Sequence, residues 1–135
     1  MQDKILAANL PSSAALSYIG DSRHALFIRK MLVERGISKA SELNRLSLEY
    51  VTAEAQASAY GKIEEHLTEE ERDTFRRAFN STHLNKPKHA SHKDYRTATG
   101  FEAVIGMLYW LGEEDRIARL MEIAYREEIE NDSEN

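Results

Sequence analysis

Between Ala14 and Val33, apolar side chains fall on most of a helical circumference: Leu16, Tyr18, Ile19, Leu26, Phe27, Ile28, Met31, Leu32 and Val33, with alanines between them. A helix that is apolar nearly all round must be covered by other elements on several sides, so this segment is expected at the centre of the fold. Ser12 or Ser13, just after Pro11, is placed to cap its start, and Gly36 follows its end near Glu34. No stretch of the chain alternates apolar and polar residues, proline is confined to Pro11 and Pro87, and the charged residues are mostly Glu, Lys and Arg, which helices tolerate. The reading is an all-α fold, one domain over residues 1–135, without internal repeats.

Further helices follow from the same periodicity. A short one is expected over about Lys39 to Arg45. A longer one should run from Ser47 to His66, with Val51, Ala55, Ala59 and Ile63 at helical spacing. Thr68-Glu69-Glu70-Glu71 has the form of a capping box, in which Thr68 caps the backbone and Glu71 reaches back; the helix it opens should end near Phe79. Asn80 to His92 has no period and reads as a loop, Lys93 to Leu111 as a helix closed by Gly112. The last helix begins near Glu113, with Ile117, Leu120, Met121 and Ala124 on one face, and leaves a disordered polar tail at about 130–135.

Composition removes several classes of function. The chain has no cysteine, so disulfides and thiolate metal sites are excluded, and a reducing cytoplasmic setting fits. Met1 to Pro11 carries Asp3 and Lys4 and has no long apolar run, which argues against a signal peptide or an anchor. No phosphate-binding glycine loop and no Gly-x-Ser-x-Gly elbow is present. His83, His89 and His92 lie close in sequence, but without a companion cysteine or a suitable acid they make a poor zinc site.

The net charge of −5 hides a segregated pattern. From Arg76 to Arg96 lie Arg76, Arg77, Lys86, Lys88, Lys93 and Arg96 against the single acid Asp94, whereas acids dominate after Glu113. Such a window is either a face that meets an anion or a solvated basic loop.

Two acids stand where acids are costly. Asp21 interrupts the apolar segment directly after Gly20, and Glu102 is the only charge between Thr97 and Gly112, with Gly106 one helical turn away. A buried unpaired carboxylate costs several kcal/mol, as an order of magnitude, so each needs a partner. One solution is local pairing: Asp21 with Arg23, His24 or Arg29, and Glu102 with Arg96 or Lys93. The other is a crossing of the two helices at their glycines, which brings the carboxylates together and requires a cation or a shared proton between them. Hard oxygen ligands of this kind suit Mg²⁺ or Mn²⁺.

Leu16-Ser-Tyr-Ile-Gly-Asp21 and Phe101-Glu-Ala-Val-Ile-Gly106 resemble the two halves of the ribonuclease III signature, and their separation is similar too. The nearer resemblance is to the Mini-ribonuclease III family, a catalytic domain without the double-stranded-RNA-binding domain. It extends to Val51-Thr-Ala-Glu-Ala-Gln-Ala57, to Arg76-Arg77-Ala-Phe-Asn80, to Tyr95-Arg96 and to Thr99-Gly-Phe-Glu-Ala103. The resemblance implies an all-α homodimer that uses Mg²⁺, with Mn²⁺ as substitute, to hydrolyse double-stranded RNA, leaving a 5′-phosphate and a short 3′ overhang. It also implies maturation of a large-subunit ribosomal RNA precursor in the bacterial cytoplasm. Asp21 and Glu102 would be the catalytic and metal-holding residues. Arg76, Arg77, Asn80, Lys86, Lys88, Lys93 and Arg96 would contact RNA. Full-length ribonuclease III enzymes carry two further acids where this chain has Ser17 and Thr99, a loss that Mini-ribonuclease III shares. Arg23-His24, where the family is usually apolar or aromatic, and Phe79, where a basic residue is common, are departures of this chain. They leave two alternatives open: a catalytically silent RNA-binding dimer in which Arg23 neutralises Asp21, and a helical dimer whose acidic face after Glu113 meets a protein.

Overall fold

The computed structural model describes residues 9–81 and 91–134. Seven α-helices make up the described chain: α1 (Ser13–Glu34), α2 (Ala40–Val51), α3 (Ala53–Ile63), α4 (Glu69–Ser81), α5 (His92–Trp110), α6 (Glu114–Ala124) and α7 (Arg126–Glu134), with a 3₁₀ turn Glu64–His66 after α3. Among the described residues there is no strand, and no helix is long and apolar enough to cross a membrane.

The helix boundaries follow local chemistry. Ser12 accepts a hydrogen bond from the Ala15 amide at 3.1 Å, and α1 ends before Gly36, whose φ of +91° is the left-handed conformation that a terminating glycine supplies. The capping box forms: the Thr68 amide donates to Glu71 Oε1 at 2.8 Å and the Glu71 amide to Thr68 Oγ1 at 3.2 Å. One boundary differs from the sequence expectation. The chain breaks at Thr52, not near Leu46, because Thr52 is extended (ψ 158°) and its hydroxyl accepts from the Ala55 amide at 3.1 Å, ending α2 and capping α3. A second difference is at the C-terminus, where α7 occupies the stretch expected to be a disordered tail. Glu127 and Glu128 sit in its first turn, where acids suit the helix dipole, and Ile129 packs against the core.

The central helix is α5, not α1. From Gly100 to Leu108 every residue of α5 except Glu102 is buried, and α5 packs on α1, α3, α4 and α6. On α1 only one side is covered: Leu16, His24, Ile28, Met31 and Leu32 are buried, while Tyr18, Leu26 and Val33 are exposed. Periodicity read α1 as apolar all round but carried no information on which side meets solvent. Ile28, Leu32, Ile63, Phe101, Ile105, Ile117, Leu120 and Met121 form the fully buried centre, each contributing about 1.5–3 kcal/mol through removal from water.

Candidate active site

The position of the site is set by two glycines. α1 and α5 cross where Gly20 lies against the backbone carbonyl of Glu102 and Gly106 lies against the backbone carbonyl of Leu16; a Cβ on either glycine would overlap those atoms. Backbone contact of this kind is open only to residues without a side chain. It sets Asp21, next to Gly20, beside Glu102 on the facing helix. Of the two arrangements open to these acids, the structure has the crossing.

The carboxylates interact directly and are not locally paired with bases. Glu102 Oε1 accepts from Ser17 Oγ at 3.2 Å, and Glu102 Oε2 accepts from Gln56 Nε2 at 3.3 Å. Arg23 is turned to the N-terminus of α6, where its Nε lies 2.9 Å from Glu114 Oε1. Among the described residues no cation forms an ion pair with Asp21 or Glu102. Burial, followed by the hydrogen-bonded and like-charged Asp21, pushes the Glu102 carboxyl up to about 8, against the smaller pull of Gln56 and Ser17. Two facing acids held this way accommodate a proton or a hard divalent cation. The donor set is all oxygen from the acids, with a hydroxyl and an amide behind them, which fits Mg²⁺ or Mn²⁺. No group of three or more His, Cys, Asp or Glu able to hold a metal occurs among the described residues, so a cation here has two protein carboxylates and must take its other ligands from water or substrate.

Ser17 and Thr99, the two positions at which the resemblance implies lost acids, behave differently. Ser17 is part of the cluster, whereas the Thr99 hydroxyl donates to the Tyr95 carbonyl of its own helix at 2.9 Å.

Behind the carboxylates lies a polar layer that sequence reading missed. Gln56 is 2 % exposed and His24 fully buried. Gln56 Nε2 is 3.4 Å from His24 Nδ1, and His24 Nε2 is 2.6 Å from Tyr125 Oη. Burial holds the His24 imidazole down at about 4, opposed by the charge of Asp21, so it is neutral at physiological pH. A glutamine among alanines carries no special sequence signal, and His24, open from the sequence as a partner of Asp21, is instead buried against Gln56 and Tyr125.

Beside Asp21 is a cleft of about 450 Å³ between α1 and α2, which Arg29, Asn44 and Arg45 also line. The two arginines add positive charge next to Asp21; Arg29 was one of the local partners open to that acid, whereas Arg45 did not stand out in the sequence. A larger cleft of about 750 Å³ holds Arg72, Arg76 and Lys93 beside the stacked rings of Tyr60 and Phe75, 4.1 Å apart. It contains neither member of the acid pair, whereas Asp21 lines the smaller cleft.

The expected RNA contacts are dispersed. Arg76 and Arg77 are exposed on α4 and lie 3.4 Å and 3.5 Å from Asp73, in surface pairs that contribute little. Asn80 is exposed at the end of α4. The Arg96 guanidinium lies over the ring of Phe79 at 5.7 Å, so the aromatic residue that replaces a base there still faces a cation. Lys86, Lys88, His83 and His89 lie outside the described residues.

Both the sequence and the fold resemble known proteins. The sequence profile of the Ribonuclease III domain matches residues 14–113, from the start of α1 to the Gly112 turn and so across both motif segments. A Mini-ribonuclease 3 of Symbiobacterium thermophilum is 38% identical over 109 residues, covering 81% of this chain and 84% of that protein. One from Clostridium tetani is 37% identical over 124 residues, 89% of this chain and 82% of its own length. A crystal structure of a Fusobacterium nucleatum protein superposes with a TM-score of 0.81 at 30% identity, over 89% of this chain and 92% of that one. A match of this reach, in sequence and in fold, means that the chain belongs to the ribonuclease III family, among the Mini-ribonuclease 3 proteins.

Proposed function

We propose that this protein is a metal-dependent endoribonuclease that hydrolyses phosphodiester bonds in double-stranded RNA, with Asp21 and Glu102 as catalytic and metal-holding residues. The observation that carries the reading is the meeting of these two carboxylates at a backbone-to-backbone helix crossing with no basic partner. The cofactor is Mg²⁺, with Mn²⁺ as substitute; when bound, it lowers the pKa of an attacking water and offsets charge on the phosphate. Glu102 must be ionised to serve, and Ser17 and Gln56 favour that form by donating to its two oxygens. Arg29 and Arg45, lining the cleft beside Asp21, would add positive charge towards the phosphates of the bound strand.

The wider substrate surface comprises Arg76, Arg77, Asn80, Lys93 and Arg96, together with Lys86 and Lys88 of the undescribed segment. Double-stranded RNA hides its bases in a deep groove, so recognition is by shape and phosphate, and affinity falls steeply with salt. The protein acts as a homodimer. Tyr18, Leu26 and Val33 share one exposed face of α1, with Leu48 of α2 exposed as well, an apolar surface that a second copy would cover. Two copies supply one site per strand, which accounts for a staggered cut. The family resemblance supports a large-subunit ribosomal RNA precursor as the natural RNA and the cytoplasm as the location. The silent-binding alternative rested on an ion pair between Arg23 and Asp21; with Arg23 bound to Glu114, no observation favours it.

The test is cleavage of end-labelled duplex RNA with and without Mg²⁺. Wild-type protein is expected to cut only with metal, and Asp21→Asn or Glu102→Gln to lower the rate by at least about 10²–10³-fold. Binding without cutting across Mg²⁺ and Mn²⁺ would overturn the proposal. Lys86→Ala with Lys88→Ala should weaken binding and flatten its salt dependence while leaving the rate at saturating RNA unchanged.

A further inference from the structure

We propose that Gln56 is a positioning residue for Glu102, and that His24 dictates which end of the Gln56 amide faces the carboxylate. The inference rests on the nuclease reading for its reaction, but it concerns the shape of the carboxylate site itself.

The argument begins with a side chain that has no reason to be buried unless it is used. Gln56 comes from α3, a helix rich in alanine, and is 2 % exposed. Burying a primary amide is costly unless its donors and its acceptor find partners. Its Nε2 reaches Glu102 Oε2 at 3.3 Å on one side and His24 Nδ1 at 3.4 Å on the other. Both partners are acceptors, provided that the imidazole carries its proton on Nε2. His24 Nε2 lies 2.6 Å from Tyr125 Oη, and in the proposed arrangement the imidazole N–H donates to the phenol oxygen. The imidazole is held in place by Phe101, edge to face at 5.5 Å between ring centres, and by the ring of Tyr125 at 5.8 Å.

One set of donors is therefore consistent along the whole row from Tyr125 through His24 and Gln56 to Glu102. A reversed amide would set its carbonyl oxygen against the Glu102 carboxylate and against the bare Nδ1 lone pair. With Glu102 ionised, as metal binding requires, both contacts would be repulsive, and Gln56 and His24 are too buried for water to come between them. His24 thus acts on Glu102 through Gln56, at one remove from the reacting atoms. Ser17 covers the other carboxylate oxygen, so each oxygen of Glu102 has one neutral donor fixing it. Outer partners of this kind orient a metal-binding carboxylate, and their loss costs about 10–100-fold in metal affinity or activity.

The same contacts would occur if His24 and Gln56 merely satisfied each other in the core. The experiment separates the two roles in the full chain with Gln56→Leu, His24→Phe and the double variant. Mn²⁺ alone is titrated by electron paramagnetic resonance, and kcat and KM are measured on duplex RNA. Gln56→Leu is expected to weaken Mn²⁺ binding about 10–100-fold and to lower kcat to a similar degree, with KM for RNA unchanged. His24→Phe should give a smaller loss, and the double variant should be no worse than Gln56→Leu, because His24 has nothing to orient once the amide is gone. Gln56→Met, which keeps the side-chain length, replaces Gln56→Leu if the latter does not fold. Wild-type Mn²⁺ affinity and kcat in the Gln56 variant would overturn the proposal, and losses that multiply in the double variant would overturn the part given to His24. Should the wild-type chain cut no duplex RNA, the nuclease reading fails separately, and the Mn²⁺ titration still decides: weaker binding in the variant upholds the positioning role and equal binding removes it.

Discussion

Glu71 and Glu102 are both acids drawn into helix packing, and their surroundings are opposite. Glu71 receives the Arg116 guanidinium on both oxygens, with Arg116 Nε 2.9 Å from Oε2 and a terminal guanidinium nitrogen 2.9 Å from Oε1, and the Thr68 amide at 2.8 Å. Burial alone would raise its pKa, but Arg116 and Thr68 outweigh burial and hold the carboxyl below the usual range. Glu102 receives only two neutral donors, at 3.2 and 3.3 Å, and faces another acid. One carboxylate is saturated by its own fold; the other is left with capacity for something from outside. That difference separates a structural acid from a candidate catalytic one more sharply than burial does.

The comparison breaks most readily at Arg116. Arg116→Ala leaves Glu71 buried beside a helix terminus without its cation, and also frees the His66 carbonyl that Arg116 binds at 2.7 Å. A loss of about 3–5 kcal/mol in denaturant-measured stability is expected, with cleavage at saturating RNA retained in the folded fraction. A rate loss exceeding the unfolded fraction would show that the Glu71 corner is part of the site.

Smaller in size and mixed in sign is the pH dependence. Glu102 has a raised pKa in the folded state, so the folded chain holds a proton that the unfolded chain has released, and stability falls as pH rises from 4.5 towards about 8. His24 has a lowered pKa, so the unfolded chain takes up the extra proton between about 4 and 6.5, and stability rises with pH across that window. The two oppose each other between pH 4.5 and 6.5. Above 6.5 the contribution of His24 is complete, and the Glu102 proton should cost the metal-free protein on the order of 2 kcal/mol by pH 8. Thermal melts in chelator should show this decline and excess Mg²⁺ should remove it; a decline that persists with Mg²⁺ would mean that the metal does not take the proton's place. Glu71, with its lowered pKa, contributes stability above about 4.5 that is lost as pH falls further.

The smallest effect sharpens the comparison by its sign. Glu102→Gln removes the repulsion with Asp21 and, in chelator at pH 8, should raise stability by about 1–2 kcal/mol, whereas Glu71→Gln should lower it. Equal signs in denaturant melts would erase the distinction.

The sequence made part of this legible. Gly20-Asp21 and Glu102 with Gly106 marked the crossing, because an acid in an apolar helix and a glycine one turn or less away are both locally unfavourable and demand a tertiary cause. The capping box at Thr68 was legible because its spacing is fixed by one helical turn. Arg116 was not, since a base in an acidic helix reads as solvated until Glu71 is seen beside it. Gln56 was hidden because its partner Glu102 comes from α5, and the true contacts of His24 were hidden because Gln56 and Tyr125 lie far away in sequence. The break at Thr52 was masked because Val51 on one side and Ala55, Ala59 and Ile63 on the other keep a helical period across an interrupted backbone.

The glycine crossing has a consequence for what the site can hold. Where side chains set the gap between helices, a changed rotamer can widen or narrow it; here Gly20 and Gly106 rest on peptide carbonyls, which have no such freedom. The crossing therefore works as a fixed caliper. The spacing of the two backbones that carry Asp21 and Glu102 is written in the main chain, and substitutions elsewhere in the core would alter how firmly the caliper is mounted without resetting its jaws.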